Sequence, residues 1–176
     1  MSTEKKNFIA VKFDRVEIQE IEKQGNINFA DLGLPSGRKW ALRNIGAKSE
    51  EDCGFLMDFD TANAIQFEDG WHLPTKEDFK ELVDNCKSEW TLRNGVPGRT
   101  FTGKNGNSIF LPAAGYTWFD EEDHGTTLDY RGSDGRYWSS SYYSATYAYH
   151  LGFNSSEVGP QYSRDRGYGF TVRAVQ

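Results

Sequence analysis

Apolar and polar positions alternate from the start of the chain. Ile9, Val11 and Phe13 alternate with Ala10 and Lys12, and Val16 and Ile18 alternate with Glu17 and Gln19. Successive strand side chains point to opposite faces, so both stretches predict half-buried strands. Gln24-Gly25-Asn26 is a turn signal, and Ile27 and Phe29 resume the alternation beyond it. Residues 1–25 are therefore expected to be a strand extension packed on one domain spanning 26–176. The helical period surfaces twice. Ser49-Glu50-Glu51-Asp52 starts like a capping box, but Gly54 weakens it and moves the expected helix to Asp60, Ala62 and Ile65. The second helix is clearer: Thr75 can cap, Asp78 can reach back, and Phe79, Leu82, Val83 and Cys86 follow at i, i+3, i+4, i+7. It should end between Asn85 and Ser88.

After residue 90 the helical period disappears. Asn94-Gly95, Pro97-Gly98, Gly103, Asn105-Gly106 and Gly115 punctuate short aromatic and β-branched runs. Ile109-Phe110-Leu111 and Tyr137-Trp138 read as buried strands. Farther on, Tyr149, Leu151 and Phe153 should take the core face of a strand, with Ala148, His150 and Gly152 opposite. Phe170 and Val172 should likewise oppose Thr171 and Arg173. Two early helices followed by many strands predict an α+β class.

Composition narrows the possible partners. A net charge of −6, with no block of Lys or Arg, is a poor surface for nucleic acid or anionic membrane. Apolar runs are too short for membrane insertion. Ser2-Thr3-Glu4-Lys5-Lys6 leads into no long apolar stretch, so no classical signal peptide is expected in the sequence, and the compartment stays undetermined. Cys53 and Cys86 lack zinc spacing; they fit either two buried thiols or one disulfide.

One segment has an unusual composition. Tyr137 to Phe170 holds most of the tyrosines and seven serines, and no Lys occurs after Lys104. Tyrosine gives rigid amphipathic contact area, and Ser, Gly and Asn give adaptable hydrogen bonds, as in an antibody combining site. The plainer alternative is a small sheet whose tyrosines simply pack.

Several motifs resemble a known family. Asp31-Leu32-Gly33-Leu34-Pro35-Ser36-Gly37, Lys39-Trp40-Ala41 and Asn44-Ile45-Gly46-Ala47 are similar to the opening of the Fibrobacter-type major paralogous domain proteins of gut Bacteroidetes. Gly70-Trp71-His72-Leu73-Pro74-Thr75, Phe110-Leu111-Pro112-Ala113-Ala114-Gly115, Tyr137-Trp138-Ser139-Ser140-Ser141 and Gly169-Phe170-Thr171-Val172-Arg173 follow in the family's order. The resemblance implies a C-type lectin-like fold, with two helices, small antiparallel sheets and long loops. It also implies kinship with formylglycine-generating enzymes and with the variable proteins of diversity-generating retroelements, including those of phages and prophages.

Those retroelements misread adenines, so Asn codons become Tyr, Ser, Asp, His, Gly or Thr codons. Tyr142, Tyr143, Ser144, Thr146, His150, Gly152, Asn154, Tyr162, Ser163, Asp165 and Tyr168 are all reachable this way. They interleave with the scaffold-like Trp138, Leu151, Phe153, Phe170 and Val172. The resemblance thus makes these eleven residues the candidate ligand-binding positions. Glu157 and Gln161 do not fit the codon pattern.

Catalytic signals are missing. The oxidase relatives need a late cysteine pair, and no cysteine follows Cys86. The Glu-Pro-Asn, Gln-Pro-Asp and Trp-Asn-Asp calcium motifs of sugar-binding relatives do not occur. Asp58-Phe59-Asp60 fails as an EF-hand start because Asn63 stands where Gly is required. Asp120-Glu121-Glu122-Asp123-His124 reads as a solvated acidic loop. His72, His124 and His150 show no paired spacing, and Ser139-Ser140-Ser141 lacks a nucleophile elbow. The expectation is a non-enzymatic module without metal or cofactor that binds a protein or glycan ligand on a cell or phage-host surface. The alternatives are a calcium-independent carbohydrate-binding module and, further off, a divergent oxidase relative.

Overall fold

The computed structural model describes residues 27–120 and 125–176. The expected strand extension over residues 1–25 and most of the acidic loop, residues 121–124, lie outside them. Among the described residues, ten strands and two helices follow in chain order. β1 (Phe29–Asp31) pairs antiparallel with β2 (Lys39–Ala41), and the helices α1 (Phe59–Asn63) and α2 (Lys76–Asn85) come next. β3 (Lys87–Arg93), β4 (Val96–Thr102) and β5 (Ser108–Pro112) form an antiparallel meander. β6 (Tyr116–Asp120) and β7 (Gly125–Asp129) make a hairpin. β8 (Gly135–Tyr142), β9 (Tyr147–Phe153) and β10 (Val158–Asp165) make the last sheet, with β9 central.

The α+β expectation, and the C-type lectin-like fold attached to it, is overturned. Strand accounts for 43% of the structure and helix for 11%, so the fold is β-rich. Local chemistry explains the imbalance. Asp58 caps α1 by accepting from Thr61 N–H at 2.8 Å, yet the helix stops after five residues at the Ala64 C-cap. One turn cannot form a layer. α2 carries the complete signal: Thr75 and Asp78 close a reciprocal capping box, and Phe79 and Leu82 bury its apolar side. Its cap Cys86 is already extended, and strand begins at the next residue. Asn94 (φ 49°) and Gly95 (φ 81°) form the two-residue turn between β3 and β4, where left-handed backbone matches the strands' twist.

The C-terminal segment ties the sheets together. Phe170 bridges Met57, Thr171 bridges Tyr137, and Val175 bridges both Trp40 and His72. Residues 169–175 are buried throughout. The segment contributes to two apolar clusters, Val175 to one around Trp40, Phe79, Leu151 and Phe153, and Phe170 and Val172 to the other around Phe59, Trp138 and Ala148. Within it Arg173 is fully buried. Its guanidinium donates to Asn44 Oδ1 at 2.8 Å, Ala41 O at 3.0 Å and Phe110 O at 3.0 Å. Burial pushes its pKa down to about 10, so it stays a cation at neutral pH.

Cys53 and Cys86 are buried and unpaired, which resolves the two readings in favour of free thiols. Desolvation raises the Cys86 thiol to about 11, well away from the reactive range.

Candidate functional site

β9 is buried on both sides, and this reorders the expected faces. Tyr137 pairs with Leu151, whereas Trp138 and Tyr162 flank His150. Leu151 and Phe153 therefore enter one apolar cluster, while Ala148 faces the other. His150 is only 3% exposed and Gly152 is also buried, so neither belongs to an open outer face. The alternation along β9 is real, but it separates two buried environments rather than core from solvent. Tyr149 departs in the other direction. It sits half-exposed where the sheet meets α2, with the Lys76 ammonium 4.5 Å over its ring and Tyr143 edge-on at 5.3 Å.

The candidate residues gather in three places. The first is the turn from β8 to β9. Tyr142 and Tyr143 are 53% and 60% exposed, and Ser144 and Thr146 are exposed beside them. Ser144 Oγ accepts from Thr146 N–H and Tyr147 N–H, which closes the turn. Arg166 fastens this turn to α1: it donates to Ala145 O at 2.7 Å, pairs with Asp60, and lies over the Tyr142 ring at 5.1 Å. The Tyr142 ring meets Phe59 edge-on at 4.9 Å. An exposed aromatic held this way loses little rotamer freedom on binding.

The second place is the turn after β10. Asp165 Oδ1 accepts from Gly167 N–H at 2.8 Å, and Tyr168 OH accepts from Arg164 Nη2 at 2.8 Å. The Arg164 guanidinium also stacks over the Tyr168 ring at 4.4 Å.

The third is a cavity of about 270 Å3 on the sheet, lined by His150, Gly152, Asn154, Tyr162 and Ser163 together with Asp134, Arg136, Glu157 and Arg164. Register explains the convergence. Arg136 lies opposite Gly152, Tyr162 opposite His150, and Arg164 opposite Ala148, so their side chains share one face. Two glycines make room for Tyr162. A Cβ on Gly159 would come within 2.4 Å of the tyrosine ring, and one on Gly152 within 2.8 Å. The ring rests on bare backbone, tilted against His150 at 6.0 Å, and remains 44% exposed.

Burial, then Arg136 and Arg164, hold the His150 pKa down at about 3, so its imidazole is neutral. Nδ1 is buried with no hydrogen-bond partner. Nε2 is the nitrogen on the Gly152 side, 3.5 Å from where a Cβ there would stand.

Sequence reading missed Arg136, Arg164 and Asp134, and set Glu157 apart. Nothing in the local sequence marks them, because only cross-strand register brings them to the cavity. The other groups considered for chemistry hold the fold. Ser139 Oγ donates to Tyr149 O, Ser141 Oγ accepts from Lys76 N–H, and His72 Nδ1 lies 2.7 Å from Leu73 O. Among the described residues no three His, Cys, Asp or Glu side chains gather as a metal site, and no helix is long and apolar enough to cross a membrane.

Comparison with known proteins adds one finding. The family described as domain of unknown function DUF8237 matches residues 98–175, from within β4 to the C-terminal segment and including the whole of the last sheet. No curated protein and no solved structure matches the chain.

Proposed function

We propose that this chain is a non-catalytic recognition module that binds a protein or glycan ligand through β8, β9, β10 and their turns. We propose further that it is the variable protein of a diversity-generating retroelement. The carrying observation is the division of labour in the last sheet. Tyr142, Tyr143, Tyr147 and Tyr162 are exposed, while Trp138, Leu151, Phe153 and Phe170 beneath them are buried. Exposed large apolar side chains clustered on one region mark interaction surfaces. Tyrosines anchored by Arg166, or bedded on glycine, supply rigid contact area. The motif resemblance supports the retroelement reading, and the exposed positions in the turns accept change without disturbing the core.

A library randomising Tyr142, Tyr143, Asn154, Asp165 and Tyr168 together tests the proposal. Most members should fold, judged by cooperative unfolding, and few should retain the parent ligand. A library that mostly fails to fold makes these tyrosines core residues and refutes the binding face. The retroelement assignment has its own check: a neighbouring reverse-transcriptase gene with a near-copy of the gene's 3′ end that differs only at adenines.

A further inference from the structure

We propose that the cavity between Arg136, His150, Tyr162 and Arg164 is a subsite for a carboxylated sugar ring, a uronic acid unit of a glycan. This deepens the recognition reading and rests on it.

Donors come first. The Arg136 guanidinium meets Asp134 only at 3.4 Å and otherwise lies over the Tyr116 ring at 4.1 Å. Arg164 makes no ion pair among the described residues; its one hydrogen bond goes to Tyr168 OH. Both converge with the His150 Nε2 side on one cavity. Two guanidiniums with unspent donors, beside a neutral imidazole, form a carboxylate receptor, since the guanidinium fork matches carboxylate geometry. The local field has the same sign, because both arginines act against protonation of His150.

The cavity also contains features that a bare anion does not need. Tyr162 offers the open face of a ring fixed over Gly152 and Gly159, a flat surface suited to the C–H face of a sugar. Glu157 lines the same cavity and makes no ion pair among the described residues. A carboxylate there repels a phosphate dianion but accepts hydrogen bonds from sugar hydroxyls. Balanced charge around an aromatic face favours an acidic sugar over phosphate.

The test is an NMR titration of 15N-labelled protein with D-glucuronate, D-glucose and N-acetylglutamate at constant ionic strength, following the His150 ring nitrogens. Glucuronate should shift them saturably, with both other probes at least about tenfold weaker. Arg164→Gln, at an exposed position, should weaken glucuronate by about fivefold or more, with an unchanged unfolding curve. Arg136→Gln should weaken glucuronate to a similar extent. Equal response to glucose removes the carboxylate from the argument, and equal response to N-acetylglutamate removes the ring. No saturable shift with glucuronate, or unchanged affinity in both arginine variants, overturns the subsite. If the tyrosine library still loses its ligand, the recognition reading survives that failure; if the library also fails, both fall.

Discussion

Replacing Arg173 tests whether the fold depends on a buried positive charge or on where its five donors point. The guanidinium is fully buried and meets three neutral acceptors: Ala41 O at the end of β2, Asn44 Oδ1 just after it, and Phe110 O in β5. Asn44 extends the network, donating to Cys53 O at 2.9 Å and to Tyr137 OH at 3.3 Å; Tyr137 OH donates to Pro112 O at 2.8 Å. Hydrogen bonds from a charged donor contribute about 1.5–3 kcal/mol each, or about 5–9 kcal/mol for three. Arg173→Met forfeits them but recovers the several kcal/mol spent on desolvating the cation, for a net loss of about 2–4 kcal/mol. Arg173→Lys keeps the charge and loses the fork. One ammonium cannot reproduce the fork that reaches all three acceptors, and it stays desolvated, so the loss should be about 3–5 kcal/mol. Urea unfolding followed by tryptophan fluorescence measures both variants. The ordering is diagnostic: Lys should be no better than Met. A lysine variant within about 0.5 kcal/mol of wild type would show that charge alone suffices and refute the geometric argument.

Further outcomes follow from the last sheet. Trp138→Ala, which removes a ring stacked on Phe170 at 4.1 Å, should cost about 3–5 kcal/mol, whereas Tyr143→Ser should stay within about 0.5 kcal/mol in the same unfolding assay. His150, held at about 3 in the fold, stays neutral while the unfolded chain takes up a proton below its ordinary value near 6.5. The unfolded state then binds the extra proton, so stability falls with pH across that window by up to about 1.4 kcal/mol per pH unit. His150→Gln should remove that slope, so the stability of wild type relative to the variant should decline as pH drops from 6.5 to 4; two parallel curves would contradict the buried neutral imidazole. Gly152→Ala should destabilise the wild type but leave a Tyr162→Ala background nearly unchanged, giving a coupling of about 0.5 kcal/mol or more in a double-mutant cycle.

Local signals were the legible ones. Thr75 and Asp78 lie three residues apart, and their capping box forms where the sequence placed it. Asn94-Gly95 makes its turn, and Ile109-Phe110-Leu111 and Tyr137-Trp138 are buried as the apolar runs implied. The class was misread because two helical signals counted equally, although α1 is five residues long against ten for α2. His150 was misplaced for a deeper reason. Period-2 alternation shows that two faces differ, not that one is wet, and β9 lies between two apolar clusters. Arg136 and Arg164 enter the cavity through register with Gly152 and Ala148, a relation no window along one strand contains.

That two-sided burial sets different costs of change across the eleven candidate positions. Tyr142, Tyr143 and Thr146 project from a turn that Arg166 and the Ser144 hydroxyl hold by contacts to backbone, so new side chains at those three positions meet solvent or ligand, whereas a change at Ser144 gives up the turn's own hydrogen bonds. Tyr162 is intermediate: its position requires that residues 152 and 159 lack a Cβ. His150 touches Trp138 and Phe170 on its buried side, so a replacement there must first satisfy the core. A binding face built this way changes freely at its rim and only in concert at its floor. Gly152 and Tyr162 are one unit of variation, not two: a Cβ at 152 would stand 2.8 Å from the ring, so the ring must shift, and with it the flat surface that lines the cavity.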